Sequence, residues 1–503
     1  MHPTDDPVFS PAGSRAIDEG RPIKVICIGA GFSGILCAIR LPQRIPNLEL
    51  VIYDKNHDIG GTWLENVYPG VGCDVPSHAY QYTFAGNPEW SKFYAEGAEI
   101  HGYLKDVAWK YQVEKYVQLE HFFQGAEWNE TTQKWSIIVK NLRTNEVKVD
   151  TADIFIRATG LLNKWKWPDI DGLHTYTGKL MHTARFDPSY DLVEKRIALI
   201  GAGSTGIQIL PQIQAKAKRV FHYMKGKTWI SPRGYAAELG GGGNWGVCSY
   251  IYPHIRETYF FFADNFAEYT AEQRERFATD PGDLLEYRRV VEHVMNKEQL
   301  AIFRGTQALD DFWVEADAFM KEKLKKKPWI YESIRPAFPP GCRRLTPGPG
   351  YLEALVEDNV EFIGTGIKGV SPTGILDLNG DFHEVDAIIC ATGFDYSFST
   401  RDTPIIGRNG ITLDQMYDPH PQAYMGVTVP NMPNYFMFLG PAAAPATGSF
   451  IPTLEATADY VIKCIQKLQR EGYGSLEPRT SALVAFNQYM DDYFEKTVFT
   501  YQV

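Results

Sequence analysis

The sequence predicts an α/β fold made of two Rossmann-like dinucleotide-binding domains, the second inserted in the first, with a helical insertion. An apolar strand followed by a glycine-rich turn and a helical pattern occurs twice, two further apolar strands end in Ala-Thr-Gly, and a long stretch with helical spacing lies between them. The predicted segments are a flexible leader (1–20), the first domain (21–165 and 386–503), the second domain (166–232 and 336–385) and the helical insertion (233–335).

Length and composition indicate a globular chain of several domains. The 503 residues suggest about two to four units of about 150 residues each. A hydrophobic share of 44% excludes an intrinsically disordered chain, and a formal charge of −11 argues against nucleic acid as the main partner. No apolar run reaches the roughly 18 residues that span a bilayer. With no signal-peptide pattern at the N-terminus, we expect a cytoplasmic protein without a membrane span.

The cysteines predict neither a disulfide scaffold nor a metal site. There are seven, an odd number, and no two are spaced as Cys-x-x-Cys. Cys27 and Cys390 stand in apolar strand-like contexts, where cysteine usually serves as a small buried side chain.

The first glycine-rich turn follows an apolar strand near the N-terminus. Gly29 permits the tight turn, Gly31 lets the backbone approach a pyrophosphate, and Gly34 lets the helix pack on the strand. The next strand, 48–53, ends at Asp54, which can accept hydrogen bonds from ribose hydroxyls, while the helix N-terminus attracts the phosphates. A glycine triplet alone can be a chance turn, but with strand, helix and acid in register it predicts a dinucleotide site.

The second glycine-rich turn repeats this arrangement. Its sequence is Gly201-Ala-Gly203-Ser204-Thr205-Gly206. The strand that follows, 219–224, ends in Lys225-Gly-Lys227 and has no carboxylate there. A carboxylate would repel a 2′-phosphate, whereas lysines attract one, so this site is predicted to take NADPH rather than NADH. The alternative remains open that both lysines are solvated surface residues.

Two strands and one irregular stretch support the inserted arrangement. Residues 153–160 and 386–393 both read as buried strands that end in Ala-Thr-Gly, where small residues let the chain cross between domains beside a cofactor. The glycine run 240–243 predicts a loop, and residues 264–327 show helical spacing that ends in a lysine-rich run closed by Pro328.

The segment 60–74 carries a family resemblance. Its sequence, Gly-Gly-Thr62-Trp63-Leu-Glu-Asn-Val-Tyr-Pro-Gly-Val-Gly-Cys-Asp74, resembles the second signature of type I Baeyer–Villiger monooxygenases, which are class B flavoprotein monooxygenases. Every fixed position of that signature is filled. The resemblance extends over about residues 22 to 495.

A second fingerprint of this family is similar to residues 176–187 but is altered at two positions. Tyr176 and Phe186 replace Phe and Trp. Phe186 is typical of the related flavin monooxygenases that oxidise nitrogen or sulfur, whereas Asp187 is typical of the Baeyer–Villiger group. The family's histidine in this segment is His182, for which we expect a conformational or hydrogen-bonding role rather than proton transfer.

The resemblance implies the cofactors and their sites. FAD would bind the first domain and NADPH the second. The residues implied around FAD are Gly29, Gly31, Gly34, Asp54, Thr62, Trp63 and Tyr80, although a core tyrosine explains Tyr80 nearly as well. The alanine-rich segment 440–450 should run near the flavin.

The resemblance also implies a reaction. NADPH would reduce the flavin, O₂ would add at the flavin C4a carbon as a peroxide, and the peroxide anion would attack a ketone to give an ester or lactone. Residues 338–345 are similar to the family's active-site arginine segment, in which Arg344 would stabilise the anion and Arg343 would bind the NADPH phosphate. Asp74 would hold Arg344 in place or hydrogen-bond the nicotinamide amide.

Other readings stay open. The nearest rival is an N- or S-monooxygenase, and a further one is a flavin-binding protein that has lost catalysis. A disulfide reductase would need a redox cysteine pair, which the sequence lacks. The sequence stops at Val503, where relatives commonly continue into a tail over the substrate tunnel, so we expect a more open pocket or a substitute loop such as the run from Gly240. It does not identify the ketone or the oligomeric state.

Overall fold

The computed structural model describes residues 20–231, 268–343, 346–445 and 447–501. Most of the expected leader, the glycine run 240–243 and Arg344 lie outside the described residues. Within these ranges two five-stranded parallel sheets form the centres of the two domains. None of the helices described here is both long and apolar enough to cross a bilayer.

The first sheet contains strands from the N-terminal and the C-terminal parts of the chain. Its strands, in spatial order, are Tyr435–Met437, Ile154–Arg157, Ile23–Ile28, Leu48–Tyr53 and Val117–Gln118. The helices Phe32–Arg44 and Phe450–Glu471 pack against each other beside this sheet. Because Tyr435–Met437 pairs with Ile154–Arg157, the chain leaves this sheet after Arg157 and returns to it at Tyr435, with an insertion between these two strands.

The second sheet lies within that insertion. Its strands, in spatial order, are Val360–Ile363, Arg219–Tyr223, Arg196–Ile200, Ala387–Cys390 and Lys179–His182. We expected the return to the first domain from residue 386, but the strand Ala387–Cys390 pairs on both sides within the second sheet. All four of its residues are buried, as suits a central parallel strand. The chain therefore leaves the second sheet only after Cys390.

Smaller sheets and helices cover the two central sheets. The four-stranded sheet contains Ile405–Ile406, His121–Asn129, Lys134–Asn141 and Val147–Ala152, the three-stranded sheet Ile367–Ser371, Gly374–Asp377 and Phe382–Glu384, and the two-stranded sheet Ile230–Ser231 and Thr346–Pro347. The remaining α-helices in the described ranges are Thr62–Glu65, Gly97–Lys110, Ser204–Gln214, Ala271–Thr279, Pro281–Lys297, Gln307–Lys323, Pro328–Ile334, Tyr351–Leu355, Leu413–Met416 and Thr480–Phe494.

The helical stretch between the halves of the second domain packs on both domains. Phe277 and Tyr287 join the core of the first domain, and Met320 and Ile330 join that of the second. Pro328 does not close the lysine-rich run but begins the next helix, because proline suits the first helical turn, where its missing N–H leaves no hydrogen bond unmade.

Candidate active site

One cavity of about 1570 Å³ is lined by both domains. It brings together most of the residues that the sequence singled out: Gly29, Gly31, Asp54, Thr62, Trp63, Asp74, Tyr80, Gly201, Gly203, Ser204, Thr205, Lys225 and Arg343. Gly34 and Gly206 do not line it, and Arg344 lies outside the part of the chain that the structure describes.

The two glycine turns have the same geometry. Gly29 and Gly201 have φ angles of +108° and +110°, which side chains rarely adopt. A Cβ atom on Gly34 would lie 1.9 Å from the carbonyl oxygen of Gly29, and one on Gly206 would lie 2.2 Å from that of Gly201. The third glycine of each turn therefore serves helix–turn packing behind the cavity wall. The first glycine packs against a neighbouring strand end, because a Cβ would lie 2.5 Å from the carbonyl oxygen of Ala158 at Gly29 and 2.4 Å from that of Ala391 at Gly201. A Cβ on Gly203 would meet nothing within 4 Å, so the second turn leaves space for a ligand there.

Asp54 braces the first glycine turn from the end of the neighbouring strand. Its Oδ2 accepts a hydrogen bond from the backbone N–H of Ala30 at 2.6 Å, and its Oδ1 accepts one from Asn56 at 2.8 Å. The side chain is only 6% exposed, and burial raises the pKa of its carboxyl against the opposing effect of these two donors. Asp54 thus holds the turn and also lines the cavity.

Trp63 lines the cavity and carries a buried hydrogen-bond donor that is unpaired among the described residues. Its side chain is 9% exposed and its Nε1–H has no hydrogen-bond partner among the described residues. The indole ring meets Tyr80 edge-on, with ring centroids 5.7 Å apart. A buried donor without an acceptor costs about 1–3 kcal/mol, so this wall fits a ligand with carbonyl or phosphate oxygens, as a flavin dinucleotide has.

Lys225 and Arg343 place positive charge at the second domain's side of the cavity. Both are exposed and line it, and a Cβ atom on Gly226 would lie 3.8 Å from Nη1 of Arg343, so the guanidinium sits beside the turn that follows Lys225. The hydroxyls of Ser204 and Thr346, 2.7 Å apart, tie the segment after Arg343 to the second glycine turn. Two cations with no carboxylate at this strand end suit a phosphate group.

His182 lies where the chain crosses between the domains. Its Nδ1 accepts a hydrogen bond from the backbone N–H of Ala184 at 3.1 Å, so its Nε2 carries the proton and donates to Oγ1 of Thr392 at 3.2 Å. The ring stacks on Trp165 with centroids 4.6 Å apart, and burial lowers its pKa to about 4. A neutral, doubly hydrogen-bonded ring at the crossing fits the expected hydrogen-bonding role.

The two altered fingerprint positions lie in packed surroundings. Tyr176 donates its hydroxyl to the carbonyl oxygen of Val385 at 2.9 Å, and Phe186 is buried in the core of the second domain. Neither is among the residues that line the cavity. Their identities therefore bear on packing more directly than on the group that is oxidised.

Several cavity residues received no role from the sequence. Glu65 pairs with Nζ of Lys55 at 3.2 Å and accepts from the Asn56 amide at 2.8 Å. Arg157 places a cation on the wall at the end of its strand. Glu65 lies within the 60–74 motif, and Arg157 interrupts an apolar strand just before Ala-Thr-Gly, where the second copy has Cys390. Both residues could therefore have been selected as candidate site residues from the sequence.

Comparisons with known proteins agree with this geometry. Residues 27–96 match the family model described as NAD(P)-binding Rossmann-like domain. Among solved structures, the open crystal structure of cyclohexanone monooxygenase superposes with a TM-score of 0.78 at 22% identity, covering 95% of this chain and 93% of that one. Oxidized steroid monooxygenase bound to NADP gives 0.78 at 24%, covering 95% and 92%. At these identities, the likeness shows a shared fold.

The curated relatives are closer in sequence. The FAD-binding monooxygenase tazF of Aspergillus terreus is 36% identical, over 95% of this chain and 82% of that protein. The FAD-binding monooxygenase moxY of Dothistroma septosporum is 34% identical, over 95% and 74%. Because identity above 30% extends over nearly the whole chain and most of each relative, the chain belongs to the FAD-binding monooxygenases.

Proposed function

We propose that the protein is an FAD-dependent, NADPH-consuming Baeyer–Villiger monooxygenase, which inserts one oxygen atom of O₂ next to a ketone carbonyl and gives an ester or lactone. The observation that carries this proposal is the single cavity in which Trp63 and Asp74 of the first domain share a wall with Lys225 and Arg343 of the second. A shared cavity lets a nicotinamide ring meet a flavin ring.

The first domain has the features that hold FAD. The N-terminus of helix Phe32–Arg44, reached through the bare backbone of Gly31, faces the cavity and suits a pyrophosphate. The Nε1–H of Trp63, which has no partner among the described residues, would donate to the cofactor's oxygens. When bound, the flavin would accept the reducing equivalents of NADPH and supply the activation of O₂.

The second domain has the features that hold NADPH. Helix Ser204–Gln214 begins at the second glycine turn, so its N-terminal amides can bind the pyrophosphate. Lys225 and Arg343, which both line the cavity, would bind the 2′-phosphate. The steroid monooxygenase that shares this fold was solved with NADP bound.

Attack on a carbonyl needs a fixed positive charge near the reacting oxygen. We assign that charge to Arg344, which follows the cavity residue Arg343 in the sequence and lies outside the described residues. We propose as its partner Asp74, which lines the cavity. A guanidinium stays protonated and presents directional donors, so it stabilises both an anionic nucleophile and the charged tetrahedral adduct.

Replacing Arg344 by alanine tests this assignment when the two half-reactions are measured separately. We expect reduction of the flavin by NADPH to continue, while ester formation from a ketone falls by about 10²–10³-fold, as when another preorganised anion-stabilising group is removed. Arg343→Ala is the contrasting variant, because it should raise the KM for NADPH without lowering the yield of ester per NADPH consumed.

The same experiment separates the rival functions. Ester formation that survives intact in Arg344→Ala contradicts the assignment. Oxidation of amines or sulfides by the wild type, with no ester from any ketone, favours an N- or S-monooxygenase. A yellow protein that consumes no NADPH with either substrate class favours a flavin-binding protein without catalysis.

A further inference from the structure

The segment 68–72 belongs to the first domain by its position in the chain but is buried against the second. Tyr68 is only 7% exposed and packs in the core of the second domain, together with Ile207 and Leu210. Val71 packs against the cores of both domains. The motif that carries Trp63 and Asp74 is therefore clamped between the domains at its centre.

Gln208 makes two hydrogen bonds to this segment across the domain boundary. The hydroxyl of Tyr68 donates to Oε1 of Gln208 at 2.6 Å, and Nε2 of Gln208 donates to the carbonyl oxygen of Gly72 at 3.0 Å. A side-chain amide offers an acceptor and a donor on one rigid plane, which a hydroxyl or carboxylate cannot match. Gln208 lies within the helix that begins at the second glycine turn.

The backbones also approach closely at this point. Gly70 has a φ angle of +82°, and a Cβ atom there would lie 2.5 Å from the carbonyl oxygen of Gln208. The helix and the segment therefore touch with no side chain between them, and the polar link with Gln208 fixes their register. Tyr68 and Gln208 line the shared cavity, as does Asp74.

We propose that Gln208 is a positioning residue that sets the second domain's nucleotide-binding helix relative to the segment bearing Trp63 and Asp74. It thereby sets the geometry in which NADPH passes hydride to the flavin, with NADPH oxidised to NADP⁺ and the flavin reduced by two electrons. Misplacement by about 1 Å can slow a reaction about 10²-fold. The inference rests on the proposed use of NADPH and not on the identity of the oxidised substrate.

Gln208→Leu removes the link while keeping a side chain of similar shape. We expect the rate of flavin reduction at saturating NADPH, followed by stopped-flow absorbance, to fall at least about tenfold. The Kd for NADP⁺, measured by calorimetry, and the FAD content should change less than about threefold, because the amide oxygen and nitrogen of Gln208 both bond the protein, at Tyr68 and Gly72. Tyr68→Phe deletes one oxygen atom, keeps the ring in the second core and should slow reduction similarly. The double variant should be no slower than the slower single one.

Gln214→Leu is the matched control. Gln214 lies on the same helix and donates from Nε2 to Oδ1 of Asn359 at 2.9 Å, within the second domain. Its loss should lower the Tm without slowing flavin reduction. Wild-type reduction rates in both Gln208→Leu and Tyr68→Phe, or equal slowing in Gln214→Leu, would overturn the inference. If NADPH does not reduce the flavin in the wild-type protein, the proposed function is wrong, and this inference fails with it.

Discussion

At the residue scale, two kinds of group shape the site: a hydrogen-bond donor that has no partner among the described residues, and a glycine whose missing side chain leaves space at the cavity. Trp63 brings an indole N–H with no acceptor among the described residues to the wall, and Gly31 leaves backbone bare where a phosphate would approach. Unlike these two, Gly34 is small because protein backbone, not a ligand, fills the space beside it.

Trp63→Phe should weaken FAD binding. The change keeps an aromatic ring against Tyr80 and removes the Nε1–H, whose hydrogen bond to the cofactor should contribute about 1 kcal/mol or more. We expect the Kd for FAD, measured by reconstituting the apoprotein, to rise about fivefold or more. An unchanged Kd would show that this donor does not face the cofactor.

Gly34→Ala should destabilise the first domain by more than about 3 kcal/mol, because the added Cβ would lie 1.9 Å from the carbonyl oxygen of Gly29. Gly102→Ala is the control. A Cβ there meets nothing within 4 Å on an exposed face of helix Gly97–Lys110, so it should stabilise the fold by about 0.5–1 kcal/mol. Urea unfolding measures both, and a Gly34→Ala protein of wild-type stability would contradict the packing described for the turn.

At the element scale, both sheets present the carboxyl ends of their strands to one cavity, where we expect strand-end residues to select the nucleotide at each site. The strand Leu48–Tyr53 ends in Asp54, and the corresponding strand Arg219–Tyr223 is followed by Lys225. This contrast favours ribose hydroxyls at the first site and a 2′-phosphate at the second.

Lys225→Ala should reduce the preference for NADPH over NADH by about tenfold or more, because an exposed cation contributes to binding of the 2′-phosphate and not of a hydroxyl. The ratio of kcat/KM for the two nucleotides measures this. Lys227, an exposed neighbour that is absent from the lining residues, provides the matched Lys227→Ala control. Equal effects of both substitutions would indicate that the lysines act through their overall positive charge rather than through a direct contact with the 2′-phosphate.

At the scale of the whole molecule, three buried histidines make stability depend on pH. Burial lowers the pKa of His78 to about 3 and the pKa values of His182 and His222 to about 4. The unfolded chain, with histidine pKa values near 6.5, binds more protons between these limits. The free energy of unfolding should therefore fall as the pH drops from about 6.5 toward 4, by up to about 1.4 kcal/mol per unit for each histidine.

His78→Leu isolates one of these contributions. Neither ring nitrogen of His78 has a hydrogen-bond partner in the described structure, and three aromatic rings surround it with centroids 5.0–5.2 Å away. The variant should keep its stability near pH 7 within about 1 kcal/mol and lose less than the wild type near pH 5. Parallel unfolding free energies for the two proteins across this range would contradict a buried neutral His78.

The sequence predicted those parts of the structure that depend on residues close together in the chain. Both glycine turns were recognisable because their backbone angles and packing demand glycine. The strand Ala387–Cys390 was misplaced because its Ala-Thr-Gly ending matches that of Ile154–Arg157, whereas sheet membership depends on pairing with distant strands. The link between Tyr68 and Gln208 had no signal, since it joins residues 140 positions apart on two domains.

Labelled oxygen distinguishes the proposed insertion beside a ketone carbonyl from the rival reactions of this FAD-binding monooxygenase. The purified protein would be supplied with NADPH, a panel of ketones and ¹⁸O₂, and the products analysed by mass spectrometry. We expect an ester or lactone that carries one ¹⁸O atom, formed in proportion to the NADPH consumed. NADPH consumption that yields only hydrogen peroxide, or oxygen transferred only to amines or sulfides, would contradict it.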